Sequence, residues 1–183
     1  LGAAWDGTVG LPVSSTEMSV RDDEFRELPV WTGEGDIEKY TGELCVRGPQ
    51  VMKGYWNNPE ETARVLQDGW LKTGDIGHLD SAGRITITDR KKDMIIVSGF
   101  NVYPNELEGV LATHPGVLEC AAVGVPDEKS GEAVKVVIVR KDPGLTREDV
   151  IEHCRSQLTG YKLPRHVEFR DVRFGYVPEK TII

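Results

Sequence analysis

The sequence predicts an α+β protein in two parts, a β-rich stretch over residues 1–89 followed by a small α+β unit over residues 90–183. Three observations carry that prediction. Up to residue 89 the chain reads as short segments with β-branched residues, set between glycine, proline and aspartate turns. Asp89-Arg90-Lys91-Lys92-Asp93 then puts charged residues one after another. A folded core does not accept such a run, so it is expected at a surface, a domain junction or a ligand. Beyond it helical and extended patterns alternate, which marks a separate α+β unit.

Taken in order, Gly7-Thr8-Val9-Gly10-Leu11-Pro12 is expected as a glycine-punctuated strand and Glu17-Met18-Ser19-Val20 as a second one. Asp22 to Tyr40 is charged, holds Pro29 and little periodicity, and reads as a loop. Thr41 to Pro49 is a strand between turn residues, in which Glu43 and Arg47 suit a strand-edge ion pair or turn contact better than catalysis. Asn58-Pro59-Glu60-Glu61 starts a helix, with Asn as cap, proline in first position and acids at the positive end. Ala63, Val65 and Leu66 would form its apolar side, Asp68-Gly69 would stop it, and Tyr55 and Trp56 would pack. Ile76–Leu79 and Arg84–Thr88 flank Asp80-Ser81-Ala82-Gly83 as a hairpin, the second arm alternating polar and apolar residues. Met94 to Val97 is a short apolar strand broken by Ser98-Gly99. Pro104 opens an amphipathic helix with Leu107, Val110 and Leu111 on one side, ended by His114-Pro115-Gly116. Val117–Val125 and Ala133–Val139 are core strands. Thr146 to Leu158 is a helix with a capping box in which Asp149 takes the place of Glu, and Val150, Ile151 and Cys154 face inward. Leu163 to Phe169 is extended.

Composition narrows the function classes. A length of 183 residues allows one ordinary domain or two small ones. Hydrophobic content of 39% with 28% charged residues fits a globular chain rather than a disordered one. The net charge of −8 argues against nucleic acid or an anionic membrane held by bulk electrostatics, while leaving room for a ligand that needs only a few placed cations. Cys45, Cys120 and Cys154 are odd in number and far apart, which disfavours a disulfide framework or zinc site and points to a reducing cytoplasmic setting. His78, His114, His153 and His166 are scattered and read as surface or structural residues, so no metal site is expected. No apolar run approaches the roughly 20 residues of a transmembrane helix. Leu1 in place of Met suits a piece of a longer chain.

Two segments point further. Trp70-Leu71-Lys72-Thr73-Gly74-Asp75 and the run from Asp89-Arg90-Lys91-Lys92-Asp93-Met94 to Pro104-Asn105-Glu106 resemble the adenylate-forming (acyl-CoA synthetase/luciferase-like) superfamily. Within it they most resemble the long-chain fatty-acid–CoA ligases. The resemblance extends from Gly7 to Asp171, and these motifs are far more specific than a lone glycine pattern. It implies that residues 1–89 are the β-rich end of the large AMP-binding domain. Residues 90–183 would then be its small C-terminal lid, incomplete at the end. The implied chemistry is ATP-dependent and AMP-forming, an acyl-adenylate followed by an acyl-CoA. Fatty acid, ATP and CoA would be the substrates, with Mg2+ in the complete enzyme and peripheral membrane contact open to it.

Such chemistry must neutralise charge at the α-phosphate and then admit a thiol while excluding water. Asp75 is the best-supported site residue: its two acceptor oxygens can take both hydroxyls of a ribose, and Gly74 lets backbone approach a ligand. Arg90 offers donors and a permanent charge to ribose oxygens and nearby phosphate, and the family places a nucleotide-contacting arginine here. Lys91 reads as a solvated member of the charge run. Lys92 aligns with the family's hinge, about which the small domain turns between adenylation and thioester formation. Ser98-Gly99-Phe100 resembles the loop that approaches the pantetheine arm of CoA, although a simple bulge at Gly99 is an equal reading from the residues alone.

The sequence contains no glycine- and hydroxyl-rich phosphate loop ending in Pro-Lys, and no Tyr-Gly-x-Thr-Glu element for magnesium. The resemblance places both upstream of Leu1. After Asp171 the family's Leu-Pro-Lys-x-x-x-Gly-Lys is replaced by Val172 to Ile183, so Lys180 is not assigned as an adenylation lysine and no catalytic residue is named. The 183-residue chain alone is expected to be inactive. Three alternatives stay open: an aryl-CoA ligase, a carrier-loading adenylation domain, and a non-catalytic nucleotide-binding or interaction module.

Overall fold

Turn residues punctuate the first half of the chain, and the strands between them pair mostly with near neighbours in sequence. A computed structural model gives the placement of residues 7–171. They divide into two compact units that meet between Lys92 and Asp93, so Arg90, Lys91 and Lys92 belong with the first.

The first unit is an antiparallel sheet of β1 (Glu17–Arg21), β2 (Gly42–Arg47), β3 (Leu66–Gln67), β4 (Trp70–Leu79) and β5 (Ile85–Arg90), with an α-helix, α1 (Pro59–Val65), and a short 3-10 helix at Ile37–Tyr40 within the expected loop. β1 pairs with β2, β2 with β4, and both β3 and β5 pair with β4. Its core is small: Val20, Leu44 and Ile85, with Met18, Leu28 and Leu79 packed on them. The 80–83 turn is held as its residues suggest, with Asp80 accepting the Ala82 and Arg84 amides at 2.9 Å each.

Several expectations for this unit are corrected. Gly7–Pro12 is no strand; it makes a single bridge, Gly10 to Ile85, and leaves Val9 and Leu11 exposed. Asn58 does cap α1, accepting the Glu61 amide at 3.1 Å, but no α1 residue is buried and Ala63 is exposed. Asp68-Gly69 does not stop α1, which ends at Val65; with φ of 52° and 79° it forms the two-residue turn joining β3 to β4. Trp56 does not pack, being 93% exposed, and Tyr55 is 47% exposed. Capping is local and legible, whereas burial depends on what the rest of the fold places alongside. The charged run is also less solvated than its composition suggests. Asp89 is only 3% exposed, and its carboxylate takes the Arg90 amide at 2.7 Å.

The second unit holds β6 (Ile95–Val97), β7 (Phe100–Val102), α2 (Pro104–Ala112), β8 (Val117–Asp127), β9 (Gly131–Arg140), α3 (Arg147–Arg155) and β10 (His166–Arg170). β8 and β9 form a long antiparallel hairpin, β10 runs parallel to β9, and the short β6–β7 hairpin joins β9 through Val97 and Gly131. The core follows from two periodicities. Val134, Val136 and Ile138 recur every second residue on β9, while Leu107/Leu111 and Val150/Cys154 recur at helical i, i+4 spacing. Each is at most 1% exposed. Burying side chains of this size contributes about 1.5–3 kcal/mol apiece, which is what holds α2 and α3 to the sheet. α2 begins on Pro104, and α3 on the Thr146/Asp149 capping box, both as read from the sequence. Ile151 is half-buried beside its buried neighbours.

Candidate functional site

Asp75 is presented by an irregularity in the sheet. Glu43 on β2 faces Ile76 on β4, yet Cys45 faces Lys72, so Thr73, Gly74 and Asp75 together bulge opposite Leu44. The Thr73 hydroxyl donates to the Leu44 carbonyl at 2.8 Å and accepts the Asp75 amide at 3.1 Å. Gly74 stands at φ +74°, where a side chain is strained, and its amide donates to Glu43 Oε1 at 3.2 Å. No atom lies within 4 Å of where its Cβ would be, so the bulge is open on that side.

Across the β4–β5 register Asp75 faces Arg90, and Arg90 Nε meets Asp75 Oδ1 at 2.8 Å. The Arg90 side chain is 61% exposed and that of Asp75 23%. These two residues, 15 positions apart in sequence, therefore form one unit, its guanidinium exposed and its carboxylate partly covered, that combines carboxylate acceptors with guanidinium donors. A vicinal diol needs that combination. An exposed ion pair contributes about 0–1 kcal/mol to stability, so the pair matters chiefly for what it presents.

Lys91 is not a solvated member of the charge run. Its Nζ lies 2.9 Å from Asp23 Oδ1 and 3.0 Å from Glu43 Oε2. Burial pulls its pKa down, but the hydrogen bonds and attraction of the two carboxylates outweigh that and leave it raised. Glu43 is thus an ion-pair residue at the strand edge, supporting the bulge with one oxygen and Lys91 with the other. Its partner could not be read from the sequence, because nothing local marks a contact 48 residues away. Lys92 is exposed within a 3-10 turn spanning Lys91–Asp93.

In the second unit, Ser98 and Gly99 stand at φ 52° and 84° and form the two-residue turn between β6 and β7. Positive φ at both positions is the signature of a type I′ hairpin turn, so Gly99 sits in a turn rather than a bulge. Ser98, Gly99 and Phe100 are all exposed. The turn is anchored from beneath: the Ser98 amide donates to the Ser130 carbonyl at 2.8 Å, and the Phe100 ring stacks on Tyr161 at 4.8 Å. Tyr161 and Ser130 were not singled out by sequence, although Gly160-Tyr161-Lys162 places an aromatic beside a lysine. Lys162, 6% exposed, reaches both oxygens of Glu106 at 2.9 Å and so ties this segment to the start of α2.

Among the described residues no group of three or more His, Cys, Asp or Glu could hold a metal ion. The Asp75–Arg90 pair combines acceptors and donors of the kind that a ribose could use. Cys45 and Cys120 are free thiols pushed up to about 11 by burial and neighbouring carboxylates, and Cys154 is pushed up to about 11 by burial, so none is poised as a nucleophile. No helix among the described residues is long and apolar enough to cross a membrane. Val172 to Ile183, with Lys180, lies outside the described residues.

Comparison with known proteins places these features in context. Residues 2–56 match the AMP-binding enzyme family, and residues 106–173 match the AMP-binding enzyme C-terminal domain. A long-chain-fatty-acid–CoA ligase of Escherichia coli O6:H1 is 58% identical over 165 residues, covering 90% of this chain. The chain spans only 28% of that relative's length. A feruloyl-CoA synthase of an Amycolatopsis species is 42% identical over 166 residues, 90% of this chain and 32% of its own. Among solved structures, ATP-bound MatB from Rhodopseudomonas palustris superposes with a TM-score of 0.79 at 39% identity, over 93% of this chain and 33% of that one.

Proposed function

We propose, from the premise that this chain belongs to the adenylate-forming enzyme superfamily, that it is part of an ATP-dependent, AMP-forming long-chain fatty-acid–CoA ligase. Its share of that enzyme is the ribose-reading pair, the hinge and the mobile lid. The observation that carries this is the Asp75–Arg90 pair, held on a bulge whose backbone side is open. Asp75 accepts the ribose hydroxyls, and Arg90 donates to ribose oxygens and the neighbouring phosphate. Holding the nucleoside end fixes the α-phosphate for attack by the acid, the entropic part of the work. Bound magnesium would screen phosphate charge; no residue of this chain is assigned to it.

Lys92 is the hinge in this reading, and the Ser98-Gly99-Phe100 turn meets the pantetheine arm of CoA. An exposed two-residue turn with glycine at its tip presents little bulk to a narrow thiol. The acid class rests on similarity, in which the fatty-acid ligase at 58% identity outweighs the feruloyl-CoA synthase at 42%. The setting in this reading is cytoplasmic, with peripheral membrane contact open to the parent enzyme.

The test is acid-dependent ATP–pyrophosphate exchange by the full-length parent enzyme, offered palmitate or ferulate. Palmitate should support exchange, and Asp75→Ala should lower kcat/KM for ATP on the order of a hundredfold, the equivalent of ~3 kcal/mol of lost transition-state binding. The purified 183-residue chain should make no acyl-CoA. Preference for ferulate would establish the aryl-CoA reading instead.

A further inference from the structure

We propose that Lys91 is a positioning residue for the nucleotide-reading pair: acting through Glu43, it holds the Thr73–Asp75 bulge in place and so sets where Asp75 stands against Arg90. This rests on the function proposed above. The contacts form a closed ring. From Arg90 the chain passes to Lys91, whose ammonium meets Glu43 Oε2 at 3.0 Å. Glu43 Oε1 takes the Gly74 amide at 3.2 Å, the chain continues to Asp75, and Asp75 returns to Arg90 at 2.8 Å. Asp23 braces the same ammonium at 2.9 Å from the other side. Every member lies in the first unit.

Two features make the ring more than a surface ion pair. The Glu43 side chain is only 10% exposed, so without Lys91 its carboxylate would be left charged and poorly solvated. It would have to turn toward water and give up the Gly74 amide. The bulge, in turn, is open where a Gly74 side chain would stand, since nothing lies within 4 Å of a Cβ there. Thr73 secures one side of the bulge by hydrogen bonds, and the Lys91–Glu43 link secures the other. Because Lys91 follows Arg90 directly, one side chain anchors both the strand that carries the arginine and the bulge that carries the aspartate.

Lys91→Met keeps the aliphatic stem and removes the charge. In the parent enzyme it should raise KM for ATP about five- to tenfold, the loss of about one well-placed hydrogen bond, with kcat and KM for CoA within about twofold. Lys91→Arg, whose guanidinium can still bridge two carboxylates, should restore the ATP KM. Lys91→Met combined with Glu43→Gln should be no worse than Lys91→Met alone, because the two act as one unit. In the 183-residue chain, hydrogen exchange followed by NMR should show the Gly74 amide opening about tenfold faster in Lys91→Met, with amides of the second unit unchanged. An unsubstituted parent without acid-dependent exchange would overturn the proposed function, and the role in nucleotide binding with it. Unchanged Gly74 protection, or an ATP KM that does not move while the amide loosens, would overturn this inference alone.

Discussion

At the scale of single residues, Asp75 and Arg90 owe their partnership to the register between β4 and β5, which brings them face to face. Other carboxylates of the chain are held more tightly by their surroundings. Asp127 accepts the Ser130 hydroxyl at 2.6 Å, the Ser130 and Lys129 amides, and Arg165 Nη1 at 2.8 Å. These bonds, the Ser130 hydroxyl foremost, depress its pKa from 3.8 to about 2. A depressed carboxylate binds fewer protons folded than unfolded, so its contribution is fully present above pH 3.8 and is lost as pH falls through about 2. Asp127→Asn should therefore lower the urea midpoint of the second unit at pH 5, and the gap to the unsubstituted chain should close as pH falls toward 2. A gap independent of pH would show that the charge is not what matters. His78 behaves differently. Buried at 5% exposure against Trp31, with Nδ1 lacking a partner, it has its pKa lowered by burial despite nearby Asp80. Its neutral form belongs to the first unit's packing, and it has no place in the site.

At the scale of elements, Lys92, proposed as the hinge, and the Ser98–Phe100 turn, proposed to meet the thiol, are both exposed but differ in how they are held. Ser98-Gly99-Phe100 is tied to the β8–β9 connection by the Ser98 backbone hydrogen bond and to Tyr161 by the Phe100 ring stack. Lys92 lies in a 3-10 turn, whose φ is close to the −65° that proline imposes. Lys92→Pro suits this conformation and resists leaving it. Under the proposed roles, adenylation is expected to persist in the substituted parent enzyme, because it would draw on Asp75 and Arg90 and not on the Ser98–Phe100 turn. Thioester formation should fall on the order of a hundredfold, equivalent to ~3 kcal/mol. Measuring pyrophosphate exchange and CoA transfer from preformed acyl-adenylate separately decides it, and equal loss of both with folding intact would remove Lys92 as the hinge.

At the scale of the whole molecule, the two units are built to different depths. The first rests on a small packed cluster of Val20, Leu44 and Ile85 and a set of ion pairs, whereas the second closes two helices and a sheet over an extended core. Leu111 is fully buried there, so Leu111→Ala should destabilise the second unit by about 2–5 kcal/mol. Amides of α2, β8 and β9 should lose protection in hydrogen exchange while those of β2 and β4 keep theirs. Uniform loss across both units would mean that they unfold as one.

Sequence alone determined what depends on near neighbours. The capped helix starts, the 80–83 hairpin, the alternation on β9 and the local motifs around Asp75, Arg90 and Ser98-Gly99-Phe100 all rest on residues within a few positions of each other. The tertiary structure decided what depends on distant ones: that Asp89 is buried, that Trp56 and the whole of α1 are not, and that Lys91 is bonded rather than solvated. Burial and ion pairing are properties of what the fold brings alongside a residue. Glu43 meets Lys91 only because β2 and β5 flank the same strand, and no pattern within either segment records that adjacency.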